Sequence, residues 1–239
     1  MQPTARLCIV VPCYQPSEAW GASFASRFEE VRAKIAPLVA NIDLTLVNDG
    51  HPDGQAPKVL SQLPDLIPGI RLITYQENRG KGYALRQGVA ASSGDIYLVT
   101  DADFPYTIDS MEAIVRHLLE QGGIAAGNRD LSYYAHVPFF RKILSKGLRW
   151  MLRHLLRLQV TDSQCGLKGF DSAGKAVFLE TTIDRFLFDL EFLLLAKNRV
   201  PVAPVPVELR AGVVFSKVGW KILSAEGRNF LQLFFRQWV

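Results

Sequence analysis

Two aspartates separated by one residue follow an apolar run in the first half of this 239-residue chain. The run is 96–100, and Ala102 stands between Asp101 and Asp103. Carboxylates at the end of a buried strand suit a hard divalent cation, because Mg²⁺ often takes one or two carboxylates together with substrate phosphates. Solvated loop aspartates, or an N-cap for the next helix, would show the same pattern. The pair therefore indicates a metal site that needs support from the rest of the chain.

Two other polar segments also follow apolar runs. Asp49 stands in an Asn-Asp-Gly sequence, where its carboxylate could accept hydrogen bonds from a nucleobase or ribose, or simply form a turn. Lys81 lies between Gly80 and Gly82, at the predicted start of a helix where backbone amides can approach an anion. This glycine loop matches neither a Walker A motif nor a Rossmann fingerprint. It predicts either contact with a phosphate or a flexible helix entry.

The second half contains basic groups suited to phosphate. Arg129 ends a run of small residues and could pair with a phosphate or be an ordinary surface arginine. A later loop, 210–217, contains Arg210, Ser216 and Lys217, which fits a phosphate clamp or a plain basic surface loop.

A polar cluster surrounds the third cysteine of the chain. Asp162, Gln164 and Lys168 are expected to form a hydrogen-bonded loop on the acceptor side. Cys165 has no histidine near it in sequence that could activate it as a nucleophile, so we interpret it as a packing residue.

Short apolar runs alternate with helical patterns through the first half and predict the elements that position these groups. The strands are expected at 7–11, 44–47, 70–75 and 96–100, and the helices at 23–39, 59–63, 82–92 and 110–121. Apolar strands separated by helices indicate an α/β fold with a mostly parallel sheet covered on both faces. Ligands bind such sheets outside the carboxyl ends of the strands, where the polar groups above would meet. Helices at 173–181 and 184–198 and an extended run at 200–209 are expected to follow.

Composition excludes several classes of protein. Hydrophobic residues make up 49% and charged residues 21% of the chain, which is typical of a globular protein and excludes disorder. Three cysteines without a CxxC pair argue against a disulfide framework or a zinc ribbon. No apolar run is long enough for a spanning helix or the core of a signal peptide, so we expect a cytoplasmic location, peripheral on a membrane face.

The positive charge of the chain is concentrated in one segment. Residues 131–161 contain six Lys or Arg and no Asp or Glu, whereas the whole chain carries a net charge of +4. The basic and apolar positions within 139–157 recur at helical spacing, which predicts a basic amphipathic helix. Such a helix suits a membrane surface or an acidic partner. Nothing in the segment matches a nucleic-acid-binding fold, so no nucleic acid partner is expected.

The order of these motifs resembles the GT-A glycosyltransferases of the large inverting family. The resemblance rests on Val10-Val11-Pro12-Cys13-Tyr14, Val47-Asn48-Asp49-Gly50, the segment 77–85, and Gly94-Asp95-Ile96 leading into Asp101-Ala102-Asp103. In the second half, the segments 127–129, 162–170, 188–191 and 210–217 are similar to the dolichyl-phosphate mannose and glucose synthase branch. The resemblance spans 7–217. It implies a GT-A type, mostly parallel sheet with helices on both faces, followed by a basic amphipathic C-terminal half.

The resemblance also implies roles for single residues. The nucleotide sugar would lie against Pro12, Tyr14, Asp49, Lys81, Gly82, Asp101, Ala102 and Asp103. Asp101 and Asp103 would hold Mg²⁺ or Mn²⁺ on the diphosphate, and in that role they count as catalytic. The acceptor phosphate would be bound on the side formed by Arg129, Asp162, Gln164, Lys168, Arg210, Ser216 and Lys217. One domain, 1–239, is expected, with 1–105 as the nucleotide-sugar-binding half and 106–239 as the acceptor and membrane-facing half.

The sequence departs from the family pattern at three places. Gln15-Pro16 stands where Asn-Glu is usual, and His51 stands where Ser is usual after Asp-Gly. Pro105 occupies the position where mannose-type members often have Gln, so water or substrate oxygens would complete the coordination of the metal.

The expected reaction is the transfer of a hexose from a nucleotide sugar, of the GDP-mannose or UDP-glucose type, to a polyprenyl phosphate at a membrane. A phosphate nucleophile is already anionic at neutral pH and needs no strong base. A saccharide or other soluble acceptor is the alternative, and its hydroxyl would need a catalytic base such as Asp189 or Glu191. A second alternative is a non-catalytic protein that binds a membrane or a partner. A separate membrane subunit is left open.

Overall fold

The computed structural model describes residues 3–51, 57–129, 160, 162–185 and 187–213. The strands are β1 (Arg6–Cys13), β2 (Asn41–Asn48), β3 (Arg71–Thr74), β4 (Ile96–Val99), β5 (Ile124–Arg129), β6 (Lys168–Asp171) and β7 (Val202–Val207). The helices are α1 (Trp20–Ile35), α2 (Lys58–Leu66), α3 (Lys81–Ala91), α4 (Ile108–Gln121), α5 (Ser172–Leu179) and α6 (Phe188–Ala196), with a 3₁₀ turn at Ala36–Leu38.

The seven described strands form one mixed sheet in the order β3-β2-β1-β4-β6-β5-β7. β1 pairs in parallel with both β2 and β4, and β2 pairs in parallel with β3. β6 runs antiparallel to β4 and β5, whereas β5 and β7 are parallel. The carboxyl ends of β1, β2 and β4 therefore meet at one edge, and the expected mostly parallel α/β fold is confirmed.

Helices cover both faces of the sheet because the central strands are apolar on both sides. Along β1, Leu7, Ile9 and Val11 belong to the core beneath α1, α2 and α4. Cys8 and Val10 belong to the opposite core, beneath α3, α5 and α6. Burying one large aliphatic side chain contributes about 1.5–3 kcal/mol, so this alternation fixes which side of each strand faces which helix layer.

Four phenylalanines attach the last two helices to the sheet. Phe170 of β6 stacks on Phe178 of α5 with ring centroids 5.0 Å apart, and Phe192 of α6 meets both rings edge-on. Phe188, at the start of α6, meets Phe178 at 6.1 Å. Because α6 is buried on nearly all sides, its two acidic residues are carried into the interior, where they need partners.

The predicted elements of the first half are confirmed, with two strands added in the second. The small-residue run at the start of β5 and the loop-like sequence of β6 give little strand signal, yet both strands pair in the sheet. The helix predicted at 184–198 begins at Phe188 instead. The basic helix predicted at 139–157 lies outside the described residues. Among the described residues, no helix is both long and apolar enough to cross a bilayer.

The sheet combines strands from both predicted halves of the chain, since β6 is inserted between β4 and β5. The assignment of donor binding to 1–105 and of acceptor binding to 106–239 stays a prediction.

Candidate active site

The predicted metal loop leaves the carboxyl end of β4 and is held from below by α1. The indole Nε1 of Trp20 donates a hydrogen bond to the carbonyl of Ala102 at 3.2 Å. The backbone amide of Phe104 donates to the carbonyl of Asp101 at 3.0 Å, which closes the loop into a turn. Phe104 has a φ of 44°, and its ring is buried against Phe24 at a centroid distance of 5.4 Å. This packing offsets the cost of left-handed backbone at a non-glycine residue.

Arg210 holds the same loop from the other end of the chain. Its Nε donates to the carbonyl of Phe104 at 3.1 Å, and its Nη2 donates to the carbonyl of Asp103 at 3.0 Å. Its backbone amide donates to the carbonyl of Pro105 at 2.9 Å. The sequence predicted that Arg210 binds a phosphate. In the structure its guanidinium lies at the metal loop and orients the backbone around Asp103.

Lys81 links this loop to the start of α3. Its Nζ lies 2.5 Å from Oδ1 of Asp101, and the lysine side chain is only 17% exposed. Burial alone would lower the pKa of Lys81, but the negative charges of Asp101 and Asp189 and the hydrogen bond to Asp101 raise it above its ordinary value of 10.5. The ammonium is therefore firmly charged at neutral pH.

Asp103 lies beside a second negative charge. Burial, followed by the charge of Asp101, raises the pKa of the Asp103 carboxyl above its ordinary value of 3.8. A divalent cation between the two carboxylates would relieve that repulsion, and carboxylate oxygens are ligands that Mg²⁺ and Mn²⁺ accept. In the part of the chain that the structure describes, no group of three or more His, Cys, Asp or Glu is placed to hold a metal. The two carboxylates thus fit a cation whose remaining ligands come from substrate or water.

Asp49 has a different environment from the one its sequence suggests. The carboxylate is 4% exposed at the end of β2 and accepts hydrogen bonds from four neighbours. These are the Tyr75 hydroxyl at 2.7 Å, the Asn78 amide at 2.9 Å, and the backbone amides of Arg79 at 2.9 Å and Gly80 at 2.8 Å. Burial and then the hydrogen bond to Asp49 raise the pKa of Tyr75. Asp49 therefore fixes the loop that precedes Lys81, and its contact with a base stays a prediction.

The glycines beside Lys81 allow a second loop to approach. A Cβ on Gly80, which has a φ of 111°, would lie 2.5 Å from the carbonyl of Asp184, and one on Gly82 would lie 2.5 Å from that of Ile183. Arg86 of α3 donates to the carbonyl of Ile183 at 2.8 Å and forms an ion pair with Asp184. These glycines therefore allow another segment of the protein backbone to approach, and the predicted contact of this loop with a phosphate stays a prediction.

Lys168 is fully buried rather than exposed to an acceptor. Its Nζ lies 2.6 Å from Oδ1 of Asp189, donates to the carbonyl of Ser163 at 3.1 Å, and also donates to the carbonyl of Cys165. Burial raises the pKa of the Asp189 carboxyl above its ordinary value, while the charges of Lys168 and Lys81 oppose that shift. The pair attaches the 163–165 segment to α6.

Glu191, two residues after Asp189 in α6, is 3% exposed and also has protein partners. Its carboxylate accepts from the backbone amide and hydroxyl of Thr182 at 2.8 and 2.7 Å and from the amide of Ile183 at 2.7 Å. These contacts hold the 181–185 loop against α3. They also account for the late start of α6, because that loop is committed to another set of hydrogen bonds.

Arg129 and Asp162 form a bidentate pair. Nε and Nη2 of Arg129 lie 2.6 and 2.8 Å from the two oxygens of Asp162, and both side chains are largely buried. Burial would lower the pKa of Arg129, but the Asp162 carboxylate raises it. Two residues predicted to bind the acceptor therefore bind each other in this structure.

The structure brings most of the predicted site residues to one edge of the sheet. Contacts connect Asp49 through Gly80 to Lys81, then to Asp101 and Arg210. Three other predicted site residues that the structure describes are not members of this series of contacts: Pro12 of β1 is half-buried, Tyr14 just after β1 is 48% exposed, and Gln164 is exposed. Ser216 and Lys217 lie outside the described residues.

Three residues that shape the site were not predicted from the sequence: Trp20, Tyr106 and Gly166. The Tyr106 hydroxyl accepts from the Gly166 amide at 2.9 Å and from the Cys165 thiol at 3.3 Å. A Cβ on Gly166 would lie 2.4 Å from Oδ2 of Asp101. The position of Gly166 inside the polar cluster around Cys165 was the one available signal; Trp20 and Tyr106 gave none.

Comparison with known proteins identifies the chain as a glycosyltransferase. Residues 8–178 match the family model Glycosyl transferase family 2, and the chain belongs to this family. Solved structures similar in fold include mannosyl-3-phosphoglycerate synthase from Rubrobacter xylanophilus, with a TM-score of 0.62, 16% identity, and coverage of 98% of this chain and 74% of that one. Another is a mannosyltransferase from Pyrobaculum calidifontis in complex with GDP-Man and Mn²⁺, with a TM-score of 0.54, 16% identity, and coverage of 85% and 55%. The expected GT-A fold is confirmed.

Relatives in sequence indicate which branch of the family this chain resembles. The chain is 30% identical over 220 residues to human dolichyl-phosphate beta-glucosyltransferase, covering 86% of this chain and 67% of the relative. It is 30% identical over 214 residues to the protein of the same name from Dictyostelium discoideum, covering 84% and 65%. It is 23% identical over 198 residues to a dolichol-phosphate mannosyltransferase from Pyrococcus furiosus, covering 81% and 53%. The chain thus spans about two thirds of the length of these glucosyltransferases, and the expected resemblance to the dolichyl-phosphate sugar synthases is confirmed.

Proposed function

We propose that this enzyme transfers a hexose from a nucleotide sugar to a polyprenyl phosphate at the surface of a membrane, with Mg²⁺ or Mn²⁺ on the donor diphosphate. The observation that carries the proposal is the convergence of Asp101, Asp103, Lys81 and Arg210 at the carboxyl edge of the sheet. The relatives named glucosyltransferases favour a UDP-glucose type donor over a GDP-mannose type donor.

Asp101 and Asp103 would hold the cation. When bound, it supplies charge stabilisation to the departing nucleoside diphosphate. The chain's own contribution is to fix these carboxylates: Trp20 and Arg210 hold the carbonyls of the loop that carries them. Asp49 holds the loop before Lys81, and the ammonium beside Asp101 would then be available to a diphosphate.

The contacts of the two buried carboxylates support a phosphate as the acceptor. Asp189 is paired with Lys168, and Glu191 holds the backbone of the 182–183 segment. Neither is placed to take a proton from a sugar hydroxyl, which would need such a base. A phosphate acceptor needs none, because it is already an anion at neutral pH. This contrast supports a lipid phosphate over a saccharide.

We assign the membrane-facing role to the second half of the chain. The basic segment 131–161 would lie on an anionic bilayer, where each Lys or Arg gains about 1 kcal/mol, and Arg210, Ser216 and Lys217 would bind the lipid phosphate. Arg129, Asp162 and Gln164 would lie on the acceptor side, and the buried Lys168 would support that side through its contacts with the 163–165 segment. The enzyme would then act as a peripheral protein on the cytoplasmic face, alone or with a separate membrane subunit.

The test supplies radiolabelled UDP-glucose or GDP-mannose and Mn²⁺, with and without a polyprenyl phosphate. We expect label in the lipid fraction with one donor, and its loss on Asp103→Asn. Asp109→Asn is the matched control, because Asp109 is 85% exposed on α4 and pairs with Lys34 on the surface. Label in a saccharide but not in lipid would show that the acceptor is a saccharide and contradict the lipid acceptor. Equal transfer by Asp103→Asn and wild type would contradict the role of Asp103 as a metal ligand.

A further inference from the structure

The two oxygens of Asp101 are both in close contact with protein. Oδ1 lies 2.5 Å from the ammonium of Lys81. Oδ2 faces the Cα of Gly166 so closely that an added Cβ would lie 2.4 Å from it and 3.2 Å from the Lys81 Nζ. One proposed ligand of the cation is therefore engaged by a positive charge and packed against backbone.

The side chains of Asp101 and Lys81 differ in their exposure to solvent. The Asp101 side chain is 37% exposed, so water reaches it, whereas that of Lys81 is 17% exposed. Lys81 has a second carboxylate within electrostatic range, Asp189, but that group is already paired with Lys168 at 2.6 Å. Asp101 is thus the main partner of a largely buried ammonium, and leaving it without an anion would be costly.

We propose that Lys81 competes with the divalent cation for Asp101, and that the diphosphate of the nucleotide relieves this competition by giving the ammonium another anion. The proposal rests on the proposed cation site and adds a role for Lys81 to it. A cation and an ammonium on one carboxylate oxygen repel each other strongly in a partly buried site. Cation alone therefore binds weakly, and nucleotide and cation strengthen each other's binding.

Such coupling is reciprocal and measurable without catalysis. If the nucleotide tightens cation binding by some factor, the cation must tighten nucleotide binding by the same factor. Removing the charge of Lys81 removes both the competitor and the group that the diphosphate would engage. Lys81→Met should therefore raise the affinity for cation alone while lowering the coupling.

The experiment titrates Mn²⁺ and follows the free ion by electron paramagnetic resonance, without nucleotide and with saturating UDP or GDP. For the wild-type chain we expect UDP or GDP to tighten Mn²⁺ binding by about 5–150-fold, the usual range of coupling. For Lys81→Met we expect Mn²⁺ alone to bind at least about fivefold more tightly than in wild type, and the coupling to shrink by a similar factor.

Two control variants test whether the effect on Mn²⁺ binding comes from the positive charge of Lys81. Lys81→Arg keeps the charge and should keep weak binding of Mn²⁺ alone. Lys34→Met removes an equal charge at a distance from the site, because Lys34 pairs with Asp109 and Glu112 on the surface. Circular dichroism checks that each variant is folded, and Lys81→Gln replaces Lys81→Met if the latter is not.

The outcomes separate this inference from the proposed function. Equal or weaker binding of Mn²⁺ alone by folded Lys81→Met, or equal gains in Lys34→Met, overturns the competition while leaving the cation site intact. Failure of the wild-type chain to bind Mn²⁺ with either nucleotide contradicts the proposed site itself and the competition with it.

Discussion

The buried ion pair between Lys168 and Asp189 offers the sharpest test of the site's framework. Lys168→Met keeps the length of the side chain but removes the ammonium that lies 2.6 Å from Asp189 and the donor to the Ser163 and Cys165 carbonyls. Asp189, which is 5% exposed, must then remain buried as an unpaired charge or take up a proton. Both outcomes destabilise the folded state.

The magnitude follows from the burial of both partners. Removing one member of a buried pair typically costs about 3–5 kcal/mol. At roughly 2–4 °C per kcal/mol for a domain of this size, the melting temperature should fall by about 6–20 °C. Replacing both charges, in Lys168→Met/Asp189→Leu, should recover part of this loss, because apolar replacements of buried pairs are often tolerated. Recovery should be incomplete, since the carbonyls of Ser163 and Cys165 still lack a donor.

Urea unfolding followed by circular dichroism measures Lys168→Met, Asp189→Leu and the double variant, and the resulting double-mutant cycle gives the interaction energy of the pair. Arg199→Met is the matched control: its bidentate pair with Glu180 has similar distances, but both side chains are nearly half exposed. That control should lower stability much less than Lys168→Met, because solvent screens an exposed pair. If Lys168→Met costs no more than Arg199→Met, burial does not govern these ion pairs and the reasoning fails.

Two further predictions concern the donor side. Because the pKa of Asp103 is raised in the folded state, ionisation of this carboxyl disfavours folding. Without divalent cation, the wild-type chain should therefore lose stability relative to Asp103→Asn as the pH rises from about 4 towards neutrality. If the melting temperatures of the two proteins change in parallel across that range, the pKa of Asp103 is not raised. Asp49→Ala removes the acceptor of the Arg79 and Gly80 amides, so it should cost about 1.5–3 kcal/mol in urea unfolding and weaken nucleotide binding in calorimetry, whereas the exposed Asp43→Ala should do neither. If folded Asp49→Ala binds the nucleotide as tightly as wild type, Asp49 is not needed to position Lys81.

The sequence by itself determined the framework of the first half and the edge of the sheet at which its acidic residues lie. The runs that became β1, β2 and β4 are almost wholly apolar, with Thr45 as the polar member of the run 44–47, and such runs are typical of strands buried on both faces. The carboxyl ends of such strands share an edge, so Asp49 and Asp101 had to lie at the same side of the sheet. These inferences need only local pattern and general topology, which is why they survived.

Only the tertiary structure decided what each polar group touches. Arg210 reaches the carbonyl of Asp103 across 107 positions of the chain, and Lys168 meets Asp189 across 21. Each of these side chains has the chemistry to bind a phosphate or act on a proton, and the sequence was interpreted that way. Their buried partners come from elements that the mixed sheet brings together, including the β6 strand, whose short and partly polar sequence gave no strand signal. The type of a side chain follows from the sequence, but its partner is set by the fold, because burial makes pairing with another group of the protein obligatory.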